Sequence, residues 1–136
     1  MLQAVLSKEN LEQAFRRVME NKGAFGVDGV GASTFRSQLH AEWGTIKGQI
    51  ESKSYKPPAV KRVLIPKSTG DKRPLGIPTY MDRFIQQSIS QILTPLYDLG
   101  FSSNSFGFRS EHNAQQAAQK AQGYINEGYS HVVDID

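Results

Sequence analysis

The chain has 136 residues, no cysteine and a formal net charge of +3. This length suits one domain with a modest core, and an apolar fraction of 38% is typical of a globular protein. The lack of cysteine excludes disulfides and thiolate metal sites, and it fits a cytoplasmic protein. No apolar run approaches the roughly 18 residues of a membrane span, and residues 1–6 lack the features of a signal peptide.

The positive charge is concentrated in one segment of the sequence. Residues 53–73 contain seven basic residues and one acid, so this segment carries +6 and the rest of the chain carries −3. Such a concentration favours a polyanionic partner. The alternative is a basic surface that only faces solvent.

The N-terminal part predicts helices separated by a glycine-rich loop. Ser7 is typical of a helix N-cap, and apolar residues at helical spacing follow it. Gly23 is predicted to end this helix in the left-handed conformation. Four glycines fall within residues 23–31. Ser33 is then predicted to cap a short helix, and a second helical stretch is predicted to end near Ser52.

A β-hairpin is predicted within the basic segment. Residues 59–66 form its first strand, residues 67–71 its turn and residues 72–77 its second strand. Pro74 restricts the second strand to an edge position, because proline cannot donate a ladder hydrogen bond.

Two helices and a strand are predicted after the hairpin. The first helix starts with a capping-box-like sequence at residues 79–82, and Pro95 is expected to kink or end it. Ser110 is predicted to cap the next helix, whose alanines face inward, and residues 129–135 form the last strand. This order of elements indicates an α+β fold. Because the last strand has no predicted partner, we expect the chain to be a truncated part of a longer protein.

Two carboxylates end the predicted last strand. Asp134 and Asp136 are two positions apart, so strand geometry places them on one face. Carboxylate oxygens bind Mg²⁺, and a two-metal site uses them in phosphoryl transfer. For this motif alone, a strand end that faces water is the alternative.

Lys67 and Arg73 flank the predicted turn and can converge on one anion. Lysine supplies a point charge and arginine a bidentate fork, a combination that suits a triphosphate. The alternative is a surface hairpin in which Asp71 neutralises them.

The segment Phe106–Arg109 places two aromatic residues beside a cation. Such groups can stack on bases or sugars. Anchoring of a loop to the core is the alternative.

In order, these motifs resemble those of one family, the bacterial group II intron reverse transcriptase-maturases. The resemblance extends from about Leu11 to Asp136 and matches the N-terminal part of the family. The matching segments are Asn21-Lys22-Gly23-Ala24, Gly26-Val27-Asp28-Gly29, Tyr55-Lys56-Pro57, Ile65-Pro66-Lys67, Arg73-Pro74-Leu75-Gly76-Ile77-Pro78-Thr79, Asp82-Arg83, Ser105-Phe106-Gly107-Phe108-Arg109 and Val133-Asp134-Ile135-Asp136.

The resemblance implies an RNA-directed DNA polymerase with a right-hand fold. This chain would supply the fingers, with helices packed on the small antiparallel hairpin, and the first palm strand. The implied domains are an N-terminal helical extension (1–54), fingers (55–128) and the first palm strand (129–136). The implied partners are template RNA, intron RNA, a DNA primer and a dNTP, with Mg²⁺ as the cofactor of the complete enzyme.

The resemblance also implies roles for individual residues. Asp136 is the first catalytic aspartate and a metal ligand, whereas Asp134 becomes a nearby structural acid. Lys67 and Arg73 grip the triphosphate of the incoming nucleotide. Nucleic-acid contacts are implied at Asn21, Lys22, Lys56, Lys61, Arg62, Arg83 and Arg109.

The family's Tyr-x-Asp-Asp loop, which holds the remaining catalytic carboxylates, is missing from the sequence. We therefore expect no polymerase activity from the 136-residue chain alone. Two alternatives remain open: a non-catalytic RNA-binding module of the maturase type, and part of a retron or diversity-generating reverse transcriptase. The unpaired last strand also predicts self-association into a homodimer.

Overall fold

The computed structural model of the chain describes residues 1–68 and 70–135. Within them, five helices and one antiparallel pair of strands follow one another. This mixture of helices with a two-stranded antiparallel sheet confirms the α+β class. In chain order the elements are α1 (Leu2–Val5), α2 (Lys8–Glu20), α3 (Ala32–Glu51), β1 (Lys61–Pro66), β2 (Lys72–Ile77), α4 (Tyr80–Asp98) and α5 (Ala114–Asn126).

The chain divides into two compact units, Met1–Thr94 and Pro95–Asp136. The division differs from the boundaries predicted after residues 54 and 128. It falls within α4 at Pro95, the residue that was expected to kink or end this helix. None of the described helices combines the length and the apolar character needed to cross a bilayer.

Phe35 lies at the centre of the core of the first unit. Its side chain is fully buried, and its ring centroid lies 5.9 Å from that of Phe15, 5.4 Å from that of Tyr80 and 6.1 Å from that of Phe84. Each such aromatic pair contributes roughly 0.5–1.5 kcal/mol beyond the area that it buries. Because these rings come from α2, α3 and α4, one aromatic cluster holds the three helices together.

Helix α2 begins as predicted but ends differently. The side chain of Ser7 accepts a hydrogen bond from the amide of Asn10, as expected of an N-cap. After the helix it is Lys22 that takes a positive φ of +39°, and Gly23 does not. A Cβ at Gly23 would lie 2.7 Å from a terminal nitrogen of Arg83, so a larger residue there would require this guanidinium to shift.

Helix α3 is a single helix of 20 residues, where two helices were predicted. Its N-cap is Gly31, whose amide donates to the hydroxyl of Thr34, and the predicted cap Ser33 lies inside the helix. The predicted break fell between Leu39 and Trp43, yet the helix continues through this region and past Gly44. A glycine in a helix interior costs only about 1 kcal/mol, and the burial of Phe35 stabilises the helix by more than this.

The predicted hairpin is confirmed. In its turn the amide of Lys67 donates to the carbonyl of Asp71 at 2.7 Å, and the amide of Gly70 donates to the carbonyl of Lys67 at 3.1 Å. Gly70 has a φ of +90°, which glycine adopts without a Cβ clash. The register pairs Lys61 with Ile77, Arg62 with Gly76, Val63 with Leu75, Leu64 with Pro74, Ile65 with Arg73 and Pro66 with Lys72.

In the second unit, helix α5 begins later than predicted. Its N-cap is Asn113, which exchanges reciprocal 2.9 Å hydrogen bonds with Gln116, and the predicted cap Ser110 lies outside the helix. No residue of α5 is buried. The alanine face that was predicted to point inward is therefore not covered.

The strand predicted over residues 129–135 is not formed, and this part of the chain has no regular secondary structure. A strand needs a neighbour for its ladder hydrogen bonds. Within the described residues the only strands are β1 and β2, and they pair with each other. The prediction, made from the local pattern and also implied by the family resemblance, was wrong for residues 129–135. Asp136 lies outside the described residues.

Candidate functional site

Lys67 and Arg73 lie on the same face of the hairpin. Ile65 pairs with Arg73, and the hydrogen bond from Lys67 to Asp71 continues the pairing one step beyond β1. Because side chains alternate along a strand, positions 65, 67 and 73 project to one side. Diagonal neighbours such as Lys67 and Arg73 are separated by roughly 7–8 Å, within reach of long side chains. Both residues are exposed, so both can contact the same anion in solvent.

Lys61 and Arg62 were both predicted to contact nucleic acid, but as neighbours on β1 they project to opposite faces. Lys61 shares the face of Arg73, whereas Arg62 projects to the opposite face. Lys72 lies on the face of Arg62, because it pairs with Pro66. The hairpin therefore presents cations on both faces, and no single flat ligand can contact Lys61 and Arg62 together.

Phe25 was not predicted as a site residue, yet it contacts the hairpin. The ammonium of Lys61 lies 3.7 Å from the centroid of the Phe25 ring, and Phe25 remains half exposed. A cation–π contact of this kind is worth about 0.5–1 kcal/mol at an exposed site. It connects the glycine-rich loop, residues 23–31, with the base of the hairpin. No local sequence signal indicates this contact.

Arg83 holds the glycine-rich loop against the start of α4. Its Nε donates to the carbonyl of Pro78 at 3.2 Å, and one terminal nitrogen donates to Pro78 at 2.9 Å and to the carbonyl of Ala24. The hydroxyl of Tyr80 adds a 2.7 Å bond to the carbonyl of Gly23. The structure thus gives Arg83 an internal role, and its predicted nucleic-acid contact stays a prediction.

Asp82 anchors the segment that leads into the hairpin. Its carboxylate is buried and accepts hydrogen bonds from the hydroxyl of Tyr55 at 2.6 Å and from that of Thr79 at 2.9 Å. The Thr79 hydroxyl in turn accepts from the amide of Asp82 at 3.1 Å, which caps α4 as the sequence predicted. The start of α4 and the entry to β1 are therefore joined by one polar network.

The Tyr55–Asp82 contact predicts a pH dependence of stability. Burial, and then the hydrogen bond to Asp82, raise the pKa of the Tyr55 hydroxyl well above its ordinary value near 10. The unfolded chain then ionises Tyr55 before the folded chain does, so this stability is complete below about pH 10 and is lost as the pH rises further. We expect Tyr55→Phe to flatten the alkaline fall in the free energy of unfolding measured by urea titration.

The same substitution at the exposed Tyr97 is the control, since it removes a tyrosine without touching Asp82. A Tyr55→Phe variant whose alkaline slope equals that of the unchanged chain would show that the contact does not contribute.

Arg109 also has an internal role. Its Nε bonds to the carboxylate of Asp98 at 2.7 Å, and its terminal nitrogens donate to the carbonyls of Ser102, Ser105 and Asp98. The bond from Arg109 lowers the pKa of the Asp98 carboxyl. All three guanidinium nitrogens are used within the second unit, so Arg109 folds the loop after α4. Its predicted nucleic-acid contact stays a prediction. Phe108 in this loop is fully exposed.

The remaining predicted residues lie on the surface. Asn21 and Lys22 follow α2, and Lys56 precedes the hairpin; all three are exposed. Their nucleic-acid contacts stay predictions. Among the described residues no three carboxylate or histidine side chains cluster as a metal site would require. The predicted metal ligand Asp136 lies outside those residues, so Mg²⁺ binding also stays a prediction.

The sequence has relatives among curated proteins, although no family model matches it. It is 35% identical over 119 residues to protein YkfC of Escherichia coli (strain K12), covering 86% of this chain and 31% of YkfC. It is 32% identical over 105 residues to the group II intron-encoded protein LtrA of Lactococcus lactis subsp. cremoris, covering 76% of this chain and 17% of LtrA. The chain thus spans less than a third of the length of these relatives.

The fold also has a counterpart among solved structures. A chain of a partial Cas6-RT-Cas1–Cas2 complex superposes with a TM-score of 0.56 over 99% of this chain and 21% of its own length. At 20% identity this likeness concerns the fold alone. The sequence relatives support one assignment: the chain is a homologue of the group II intron-encoded proteins.

Proposed function

We propose that this chain is the part of an RNA-directed DNA polymerase that binds the incoming dNTP and the template RNA. The observation that supports this most is the placement of Lys67 and Arg73 together on one exposed face of the hairpin. Within the described part of the chain the ion pairs are Arg16–Glu12, Lys47–Glu51 and Arg109–Asp98. Neither Lys67 nor Arg73 belongs to one of these pairs, so these contacts leave the positive charge of both side chains available to an anion.

In the proposed reaction a primer 3′-hydroxyl attacks the α-phosphorus of the dNTP, and pyrophosphate leaves. Lys67 and Arg73 bind the β- and γ-phosphates and stabilise the negative charge that develops on the leaving group. Mg²⁺, held through Asp136 in the complete enzyme, would supply further stabilisation of charge at the phosphates. The hairpin residues orient the triphosphate before the reaction, which lowers the entropic part of the barrier.

Template RNA is proposed to lie along the glycine-rich loop and to reach both faces of the hairpin, with Lys61 on the face of Arg73 and with Arg62 and Lys72 on the other face. Phe25 offers a half-exposed ring beside the ammonium of Lys61, and such pairs suit a base and its phosphate. Arg62 and Lys72 add cations on the opposite face. Contacts of this kind depend strongly on salt, because bound cations are released from the nucleic acid.

Inorganic triphosphate tests the nucleotide part of this proposal on the chain itself. We expect it to shift the amide NMR signals of Lys67, Gly70 and Arg73, because these lie around the proposed anion site. The double variant Lys67→Ala/Arg73→Ala is expected to weaken binding at least about tenfold, since charge-assisted bonds to phosphate are the strong ones.

The double variant Arg62→Ala/Lys72→Ala is the matched control. It removes the same charge from the same hairpin, but from the other face. Binding within about twofold of the unchanged chain is expected, because only general attraction is reduced. Equal losses in the two variants would mean that the hairpin attracts anions without a site, and the proposal would fail.

A non-catalytic RNA-binding module is the second candidate, and the cations on the face of Arg62 and Lys72 favour it. The same variants distinguish the two. In a filter-binding titration of a structured RNA, the Arg62→Ala/Lys72→Ala variant is expected to flatten the salt dependence by about 1–2 units of log–log slope. If the chain binds RNA in this way but does not bind triphosphate, the second candidate is preferred.

A further inference from the structure

A concave cleft with a volume of about 790 Å³ lies between α2 and α3. We call it the α2–α3 groove. Its floor includes Leu6, Leu11, Leu39 and Trp43, and all of its lining residues belong to the first unit. It shares no residue with the hairpin or the glycine-rich loop. Clefts of this size with an apolar floor are typical of specific binding sites.

Most of the cationic side chains of residues 1–52 line the groove, although this segment has no net charge. Residues 1–52 contain six Lys or Arg and six Asp or Glu residues. Four of those cations line the groove but only one of the acids, Glu12, does so. The cations are Lys8, Arg16, Arg36 and Lys47.

Carboxylates of the chain itself neutralise these cations only weakly. Arg16 lies 4.0 Å from Glu12, and Lys47 lies 3.9 Å from Glu51, in exposed pairs one helical turn apart. Such pairs contribute little in solvent. A ligand that carries carboxylates therefore meets a favourable potential at the groove.

The aromatic rings of the groove are already occupied, which argues against stacked bases. Phe15 stacks on Phe35 at 5.9 Å, and the guanidinium carbon of Arg36 lies 5.0 Å from the centroid of the Phe15 ring. Trp43 packs edge-on against Phe84 at 5.2 Å. Binding of single-stranded nucleic acid relies on open ring faces. The leucines of the floor instead suit the aliphatic side chains of an amphipathic helix.

We propose that the α2–α3 groove docks an acidic amphipathic helix of a partner protein. Leucine-type side chains of that helix fill the floor between Leu11, Leu39 and Trp43. Its carboxylates lie against Arg16, Arg36 and Lys47 along the rim. This interaction is independent of the proposed binding of nucleotide and RNA, because it uses a different surface.

Trp43 makes the test specific, because it is the only tryptophan of the chain. The probe is a synthetic helical peptide with leucine at positions i, i+4, i+7 and i+11 and glutamate along both borders of the leucine stripe. We expect a saturable change in Trp43 fluorescence. The same peptide with glutamine in place of glutamate is expected to bind roughly tenfold more weakly.

Arg16 and Arg17 provide a matched pair of variants. They are adjacent exposed arginines of α2, but only Arg16 lines the groove. We expect Arg16→Ala to weaken peptide binding by about threefold or more and Arg17→Ala to leave it within about twofold. A circular dichroism melt of each variant checks that the fold is intact.

Three kinds of result would overturn the proposal. The first is an unsaturable change in fluorescence, or equal effects of the two arginine variants. The second is tighter binding of a single-stranded oligouridine than of the peptide at Trp43, which would assign the groove to nucleic acid. The third is a concentration-dependent dimer in light scattering that excludes the peptide, which would assign the groove to a second copy of this chain.

Discussion

Replacing Gly26 with alanine is expected to lower the free energy of unfolding by about 2–3 kcal/mol, within the usual cost of overpacking. The new Cβ would lie 2.8 Å from the Cα and 2.9 Å from the amide nitrogen of Thr79, and 3.1 Å from the carbonyl carbon of Pro78. These are backbone atoms at the start of α4, and they cannot move aside as the end of a flexible side chain can. The loop must separate from α4 or α4 must shift.

Urea denaturation measures this loss, and Gly44→Ala is the control. Gly44 lies inside α3 with open space around its Cα, so alanine there is expected to stabilise the chain by about 0.5–1 kcal/mol. The same substitution thus has opposite signs at the two glycines. If Gly26→Ala were as stable as the unchanged chain, the close packing of the loop on Thr79 would be disproved.

The largest effect on activity is expected from Lys67→Ala/Arg73→Ala in a longer polymerase that contains this chain and the remaining catalytic carboxylates. Under the proposed function both side chains stabilise charge on the leaving pyrophosphate. Removing one such donor typically costs about 10²–10³ in rate. We therefore expect kcat/KM for dNTP incorporation to fall at least about a hundredfold on an RNA template.

Single-nucleotide incorporation at varied dNTP concentration measures this, with Arg62→Ala/Lys72→Ala as the variant of the opposite face. That control is expected to alter the affinity for the RNA template and to leave the response to dNTP largely unchanged. The 136-residue chain alone is expected to extend no primer. Equal dNTP kinetics in both double variants would remove the assignment of Lys67 and Arg73 to the triphosphate.

The hairpin was predictable because its signals are local. Alternating residues, a glycine at the turn and paired strands of similar length lie within residues 59–77, and no distant contact is needed to specify them. Its register, read from the structure, then places Lys67 with Arg73 and separates Lys61 from Arg62. Alternation along β1 alone already puts Lys61 and Arg62 on opposite faces, whereas the grouping of Lys67 with Arg73 depends on which residues pair across the turn.

The two arginines show why site residues are harder to predict. A guanidinium has five donors in a planar fork, and it binds clustered carbonyls as readily as phosphates. Arg83 uses this fork on carbonyls as distant in sequence as that of Ala24, and Arg109 folds the loop before it. The residue type is right for nucleic acid, but tertiary contacts decide its use. The predicted last strand was wrong for a related reason, since pairing needs a distant partner.

The way the glycine-rich loop is held has a practical consequence for engineering. Residues 23–26 are fixed by Tyr80, Arg83 and the backbone of Thr79. Beyond them Val27 is exposed, and Gly29 has no neighbouring atoms within 4 Å of an added Cβ. Insertions that lengthen or diversify this loop are therefore best placed between residues 27 and 30, where exposed loop backbone tolerates them. Libraries confined to that window, with Gly29 kept because its φ of +70° favours glycine, would vary the loop tip and leave its attachment to α4 intact.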